Sequence, residues 1–201
     1  WGDNLSGLLG IGGPSTTSVA EWVRRPDRAS GDFDRPTSLA VDSRACVVDA
    51  AGVWCWGPNP YGELGVGDRN ARSQPTRLPG LPQGMLQVRH GSSSSCARSR
   101  SDGIWCWGAT IDGETLNASR VQDLPAVTDD LALGGRHACA LAAGKVLCWG
   151  IGDRGELGDG RLSDSSTAVT VSTLPAGVTA IDTGAAHTCA VIADGDVWCW
   201  G

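Results

Sequence analysis

Short alternating runs of hydrophobic and polar residues, separated by glycine turns, recur along this chain. Two of the clearest read HACALAAGKVLCWG from His137 and HTCAVIADGDVWCWG from His187. Each places a glycine-containing turn between two β-prone segments, which is typical of a strand–turn–strand hairpin. No segment shows a long helical periodicity with capping residues. The pattern therefore predicts an all-β chain of short antiparallel strands.

The hairpins belong to a longer repeat. Cys-Trp-Gly recurs four times, and Trp1-Gly2 gives a fifth start without its cysteine. Successive Trp-Gly tryptophans are 55, 51, 42 and 51 residues apart. Periods of about 40 to 50 residues are typical of propellers or helical arrays, and the strand pattern favours a β-propeller. We predict a single propeller region with four blades of four antiparallel strands, at approximately 1–55, 56–106, 107–148 and 149–201.

A glycine-rich turn follows each Trp-Gly. It reads WGDNLSGLLG from Trp1, WGPNPYGELG from Trp56 and WGIGDRGELG from Trp149, whereas the third copy, WGATIDGET from Trp107, lacks the final Leu-Gly. Together with the later G-x-x-H-x-C-A and G-x-V-x-C-W-G segments, this pattern resembles the regulator of chromosome condensation repeat family over nearly the whole chain. The resemblance implies a β-propeller, usually closed by seven blades.

The copies differ at the histidine of the family pattern. His137 and His187 match it, whereas Arg44 and Ser94 occupy that position in the first two copies. We expect the two matching histidines to be hydrogen-bonded to nearby backbone. His90 lies between predicted strands and is expected at the surface.

The resemblance also implies that four blades form only part of a ring. Blades shaped for seven-fold packing would leave an open arc with two apolar faces, and such faces are liabilities or interfaces. We therefore expect further blades to complete the ring. Either the same polypeptide beyond residues 1–201 or a second copy of the chain would supply them.

Eight cysteines occur as one pair per repeat, with eight or nine residues between the partners. One cysteine lies on each arm of a predicted hairpin, and opposed residues of antiparallel strands have Cα atoms about 4.5 to 5.5 Å apart, within disulfide range. We predict four disulfides: Cys46–Cys55, Cys96–Cys106, Cys139–Cys148 and Cys189–Cys199. Zinc bound with the nearby histidines, and buried free thiols, are the alternatives. Disulfides would place the protein in an extracellular, periplasmic or cell-surface location.

Tryptophan is unusually frequent, with nine residues against one tyrosine and one phenylalanine. Because side chains alternate along a strand, Trp54 and Trp56 point to one sheet face and Cys55 to the other. We expect each blade to present indoles on one face and a disulfide on the other, pressed together in the core. Carbohydrate stacking on these indoles is the functional alternative.

The sequence offers little evidence of catalysis. It contains no G-x-S-x-G, H-E-x-x-H, phosphate-loop or heme-attachment motif. We predict that the protein is not an enzyme and has no metal and no cofactor. Calcium binding by the acidic segment from Gly152 to Asp164 is an alternative to an ordinary solvated turn.

Charge and hydropathy narrow the choice of partner. The net charge is −6 and the chain has one lysine, which argues against nucleic acid. No run of 18 apolar residues is present, so we expect no membrane insertion.

The segment EWVRRPDRASGDFDRP, residues 21–36, is the most distinctive stretch outside the repeat. Tryptophan and arginine are enriched in interface hot spots. The candidate partner-binding residues are Trp22, Arg24, Arg25, Arg28, Phe33 and Arg35. Charge reversal at Arg24 and Arg25 should then weaken binding without changing the melting temperature. The alternative is an outer strand with an ordinary solvated face.

These observations favour a non-enzymatic extracellular or cell-surface scaffold that binds an unknown protein or copies of itself. A subunit of an extracellular filament or coat, or a secreted enzyme inhibitor, is the alternative. Guanine-nucleotide exchange on a small GTPase is a further alternative, but the paired cysteines argue against a reducing cytosol or nucleus.

Overall fold

A computed structural model describes residues 2–13 and 16–201; Trp1, which opens the first repeat, lies outside the described residues with Pro14 and Ser15. The described residues form four antiparallel sheets, each a meander of strands consecutive in sequence. The first sheet consists of β1 (Ser38–Val41), β2 (Ala45–Asp49), β3 (Gly52–Gly57) and β4 (Arg72–Arg77). The second consists of β5 (Met85–His90), β6 (Ser94–Ser99), β7 (Ile104–Thr110) and β8 (Gly113–Arg120).

The third and fourth sheets continue this meander. The third consists of β9 (Asp130–Leu133), β10 (His137–Ala142), β11 (Lys145–Gly150) and β12 (Ser165–Thr170). The fourth consists of β13 (Val178–Thr183), β14 (Thr188–Ile192) and β15 (Val197–Trp200). The all-β fold is thus confirmed, with four strands in three sheets and three strands in the last.

The sheets are offset from the sequence repeats. In the first sheet β4 follows the Trp56-Gly57 turn, yet it pairs with β3, and Thr76 lies opposite Cys55. Each four-stranded sheet therefore contains the end of one sequence repeat and the beginning of the next. The predicted blade limits, placed at Trp-Gly, cut these sheets before their outer strand, because strand pairing across the turn is invisible in the repeat itself.

Consecutive sheets pack face to face in chain order. The first strands of neighbouring sheets, β1, β5, β9 and β13, contact one another in series and form the inner rim of the propeller. Val41 on β1 and Val197 on β15 are exposed apolar residues of the first and last sheets. Completion of the ring by further blades stays a prediction.

Side-chain alternation builds the core between the sheets. In the first sheet Trp54 and Trp56 pack on one face, and Cys46 and Cys55 pack on the other. The cysteine face meets the indole of Trp107 from the second sheet. The expected stacking of an indole face on a disulfide face is thus observed, and it leaves Trp54 and Trp56 buried rather than available to a carbohydrate.

Each sheet holds one disulfide between its second and third strands. The paired cysteines lie directly opposite each other in the register of the hairpin. The bonds join Cys46 to Cys55, Cys96 to Cys106, Cys139 to Cys148 and Cys189 to Cys199. These are the pairs that the repeat predicts, and each cross-links the hairpin formed by the second and third strands of its sheet.

Candidate functional site

Three of the glycine-rich turns cover a tryptophan of the next sheet. The turn after Trp56 lies over Trp107, whose Nε1 donates a hydrogen bond to the carbonyl oxygen of Glu63 at 2.7 Å. Gly65 lies against the indole face: a Cβ at that position would stand 2.8 Å from Trp107 Cδ1. Its φ of +67° also favours glycine. The turn thus combines a backbone acceptor with a glycine that permits close approach.

The same arrangement recurs at two other tryptophans. Trp56 Nε1 donates to the Leu8 carbonyl oxygen at 2.9 Å, and Trp200 Nε1 donates to the Glu156 carbonyl oxygen at 3.0 Å. The glycine two residues after each acceptor lies against the indole in both cases. An indole N–H bonded to the backbone of a glycine turn is therefore the standard contact between consecutive sheets.

A leucine from the turn fills the space between the sheets. Leu64 is fully buried against the Cys46–Cys55 hairpin and Trp107, and Leu157 occupies the equivalent place against the Cys139–Cys148 hairpin. Asn59 holds its turn in shape by donating to the Asp68 carbonyl oxygen and accepting from the Leu64 amide. The second and fourth turns therefore each insert an apolar side chain between a disulfide and an indole.

The third turn is missing, and a cavity lies in its place. After Trp107 the chain reverses through a hairpin loop of only two residues, since Thr110 pairs directly with Gly113 between β7 and β8. A cavity of about 540 Å³, which we call the open cleft, lies between the second and third sheets. Its size falls within the usual range of ligand sites, about 300 to 1,000 Å³.

The open cleft retains the surfaces that a turn would cover. Trp149 of the third sheet and the Cys96–Cys106 disulfide of the second sheet both line it. The Trp149 indole Nε1 has no hydrogen-bond partner among the described residues, in contrast to the indoles of Trp56, Trp107 and Trp200. The cleft therefore has an apolar floor of largely buried side chains, with Trp149 8% exposed, and one indole N–H without a partner among the described residues.

The rim of the open cleft is polar. It is formed by Ser92 and Ser93 from the β5–β6 connection, by Ser94 at the start of β6 and by Thr167 on β12. Asp112, Arg120 and Arg136 add one negative and two positive charges. Such an arrangement of an apolar floor and hydrogen-bonding rim is suited to binding a ligand with both apolar and backbone-like groups.

Part of the 21–36 segment is an internal anchor. The Arg25 guanidinium is buried, donates to Asp49 at 2.6 Å and to Asp27 at 2.7 Å, and lies 4.1 Å from the centroid of the Trp54 ring. Phe33 is half-buried and meets Trp54 edge-on, at 6.4 Å between ring centroids. This pairing inside the protein argues against the expectation that charge reversal at Arg25 would leave the melting temperature unchanged.

The remainder of the segment is exposed. Trp22 and Arg24 stack on each other, with the guanidinium carbon 4.2 Å from the ring centroid. Arg28 lies 3.9 Å from a carboxylate oxygen of Asp34, and Arg35 projects into solvent. Trp22, Arg24, Arg28 and Arg35 can therefore reach a partner, whereas Arg25 cannot.

The histidines occupy three different environments. His137 is buried, and its Nε2 lies 2.9 Å from the Thr188 hydroxyl of the next sheet, so its partner is a side chain rather than the expected backbone. Arg44, at the same repeat position, bonds to the Ser95 hydroxyl of its own neighbouring sheet. His187 is exposed. At this position Arg44 and His137 thus link neighbouring sheets.

His90 is half-buried rather than exposed as the sequence suggested. It ends β5, its Nδ1 lies 3.0 Å from the Ser95 hydroxyl, and its Nε2 is buried without a partner among the described residues. Burial, reinforced by the nearby Arg44 cation, lowers the pKa of His90 from 6.5 to about 3. The imidazole is therefore neutral in the folded protein at neutral pH.

The depressed pKa of His90 predicts an acid-sensitive component of stability. The unfolded chain takes up a proton near pH 6.5, whereas the folded one does so only near pH 3. The stabilisation is complete above pH 6.5 and is lost as the pH falls towards 3, by up to about 1.4 kcal/mol per pH unit. Urea denaturation at pH 7.5 and pH 5 should show a smaller loss in His90→Asn than in the parent. Equal losses would contradict the buried, neutral imidazole.

The acidic segment near the fourth turn caps backbone amides. Asp164 accepts a hydrogen bond from the Gly152 amide, and Asp159 accepts one from the Arg161 amide, both at 3.0 Å. Within residues 2–13 and 16–201, no group of three or more His, Cys, Asp or Glu residues is arranged to hold a metal ion. No helix in the same part of the chain is long and apolar enough to cross a membrane.

Radially packed antiparallel meanders, joined by Trp-Gly turns, define a β-propeller repeat protein. Family models of the regulator of chromosome condensation (RCC1) repeat match residues 50–98 and 178–201. The human E3 ubiquitin-protein ligase HERC2 is 29% identical over 208 residues, covering 94% of this chain and 4% of that protein. Residues 50–98 and 178–201 of the chain therefore carry regulator of chromosome condensation repeats, as the sequence pattern suggested.

Solved structures share the fold. Human WBSCR16 superposes with a TM-score of 0.79 at 21% identity, over 96% of this chain and 52% of that chain. Yeast RCC1 (Prp20), solved with Kap60 bound, superposes with a TM-score of 0.72 at 20% identity, over 83% of this chain and 43% of that chain. This chain thus spans about half of WBSCR16 and a small part of HERC2.

The open cleft was not among the sites inferred from the sequence. The sequence does contain an indication of it, because the third copy lacks the final Leu-Gly of the other turns. Its consequence depends on a contact between residues 44 positions apart, since each turn packs on the tryptophan of the following sheet. Repeat alignment alone does not reveal which surface a shortened turn uncovers.

Proposed function

We propose that this chain is a non-enzymatic, protein-binding scaffold that works in an oxidising location: outside the cell, in a periplasm or at the cell surface. The observation that carries the proposal is one disulfide in each of the four sheets. Structural disulfides persist in such compartments and are rare where thiols are kept reduced. The same pattern argues against guanine-nucleotide exchange in the cytosol or nucleus.

Protein binding is supported by two surfaces and one relative. The exposed Trp22–Arg24 stack has the composition of an interface hot spot, and the open cleft offers a concave site on a rigid frame. The structurally similar yeast RCC1 (Prp20) has been solved with a protein, Kap60, bound to it. A filament or coat subunit, or an enzyme inhibitor, would be a special case of the same scaffold.

The redox state of the native protein tests the location. The protein is quenched in acid at harvest, alkylated, and digested without reduction; a reduced and denatured aliquot is the control. We expect no alkylated cysteine and four linked peptide pairs, namely 46–55, 96–106, 139–148 and 189–199. Eight alkylated cysteines would refute an oxidising compartment and favour the exchange-factor alternative. A link between different blades would show that the hairpin register is wrong.

A further inference from the structure

We propose that the open cleft binds a glycine-flanked leucine turn of a partner protein, in the place of the turn that the third repeat lacks. This inference rests on the proposed protein-binding function and names the chemistry of the partner. The partner would supply three groups: a backbone carbonyl, a leucine side chain and a glycine. Each has a receiving surface in the cleft.

The carbonyl would be bound by Trp149. In the three covered sites the indole N–H donates to a turn carbonyl, from Leu8, Glu63 or Glu156. The acceptor differs in side chain but is always the backbone oxygen, so a partner needs no particular residue there. Trp149 presents the same donor without a partner among the described residues.

The leucine would lie between the disulfide and the indole. Leu64 and Leu157 are fully buried in this slot at the complete turns. In the cleft the corresponding walls are the Cys96–Cys106 disulfide and Trp149, which belong to one apolar cluster with Ala138. An apolar side chain entering here buries surface that is otherwise left against a cavity, which favours binding.

The glycine would allow the turn to approach the indole. At each complete turn a Cβ on the glycine two residues beyond the acceptor would stand 2.6 to 2.8 Å from the indole. Real Cβ atoms do not approach so closely, so only glycine permits the carbonyl to reach the N–H. The pattern x-Leu-Gly, with a free carbonyl on the first residue, therefore describes the ligand.

The chain's own third hairpin, β7–β8, packs against the second glycine turn and not in the cleft. Its outer strand β8 bridges Asn117 to Val66 of the preceding turn, and Glu114 forms an ion pair with Arg69. The Gly67 amide also donates to the Leu116 carbonyl oxygen at 2.9 Å. These contacts hold β8 against the second turn and away from Trp149, so the third hairpin does not fill the cleft and leaves it accessible to a partner.

A peptide copied from this chain provides the probe. The head-to-tail cyclic peptide PNPYGELGVG, residues 58–67, carries the turn that covers Trp107; cyclisation limits the ordering cost of binding. Titration into ¹⁵N-tryptophan-labelled protein should shift the Trp149 indole resonance saturably. The same peptide with Leu replaced by Asp should not shift it. Either an unmoved Trp149 resonance at millimolar peptide or equal binding of the Asp peptide would overturn the proposal.

Two protein variants locate the binding site. Trp149→Phe removes the donor and should weaken binding of the peptide about three- to ten-fold, the usual effect of one lost hydrogen bond. Trp198→Phe is the matched control, because this indole is 42% exposed and lies outside the cleft, and it should bind like the parent. If Trp149→Phe does not fold, a second variant tests the site: residues 58–70 are grafted in place of Ile111 and Asp112. The graft should fill the cleft and abolish binding, whereas undiminished binding would contradict the proposal.

The outcomes separate this inference from the proposed function. If the peptide does not bind but all eight cysteines are paired in the native protein, the leucine-turn ligand is refuted and the scaffold proposal is unaffected. Free cysteines in the native protein refute the oxidising scaffold whether or not the peptide binds.

Discussion

Arg25→Ala is expected to lower the free energy of unfolding by about 3 to 5 kcal/mol, the usual cost of removing one partner from a buried ion pair. The reason lies in Asp49, whose side chain is fully buried at the end of β2. Its carboxylate accepts from the Arg25 guanidinium at 2.6 Å and from the Trp54 indole at 3.1 Å. Without Arg25 its negative charge would lose its only buried counter-ion among the described residues.

Backbone contacts amplify this effect. The Asp49 carboxylate also accepts from the amides of Asp34, Ala51 and Gly52. It therefore fixes both the β2–β3 turn and the end of the 21–36 segment, and an uncompensated charge there would disturb both. Arg25 also lowers the pKa of Asp27 by donating to it, which ties a second carboxylate to the same anchor.

Urea denaturation of the disulfide-intact protein measures the loss. Arg24→Ala is the matched control, because Arg24 lies one position earlier but is exposed, and its change should stay within about 0.5 kcal/mol. If Arg25→Ala were no more harmful than Arg24→Ala, the anchor would not exist. The whole 21–36 segment would then again be a candidate contact surface.

Leu64→Ala is expected to cost about 2 to 5 kcal/mol, the range for a buried leucine whose surroundings cannot collapse. Leu64 is fully buried between the Cys46–Cys55 hairpin and Trp107, and both walls are held by sheet hydrogen bonds. The vacated space would therefore persist as a cavity. It would resemble, on a smaller scale, the open cleft at the third repeat.

The matched control is Leu162→Ala, since Leu162 lies after the fourth glycine turn but is 74% exposed. Its unfolding free energy should change by less than about 0.5 kcal/mol. A small effect of Leu64→Ala, similar to that of Leu162→Ala, would show that the leucine slot is not a packing site. The proposed ligand of the open cleft would then lose its structural precedent.

Features set by local periodicity could be predicted from the sequence. Cys139 and Cys148 flank a short glycine turn, and alternation along two arms of one hairpin suffices to place them opposite each other. The same alternation assigns Trp54 and Cys55 to opposite faces. These inferences need only neighbours within about ten residues, which is why the blade and its disulfide follow directly from the repeat.

Features that depend on distant neighbours could not be predicted. Arg25 looked like a surface residue because its counter-ion, Asp49, lies 24 residues away in a different element. His90 looked exposed because Arg44, which helps to keep it neutral, arrives from another sheet. The open cleft is of the same kind, since the shortened turn and the tryptophan that it uncovers belong to different sheets.

Hydrogen exchange of the indole N–H groups tests the central claim most directly. In ¹⁵N-tryptophan-labelled, oxidised protein without ligand, the Trp107 indole proton should exchange slowly, because it is buried and bonded to the Glu63 carbonyl. The Trp149 indole proton should exchange much faster, because no turn covers it. A Trp149 proton as well protected as that of Trp107 would show that the site is already filled, and would contradict an open cleft at the third repeat.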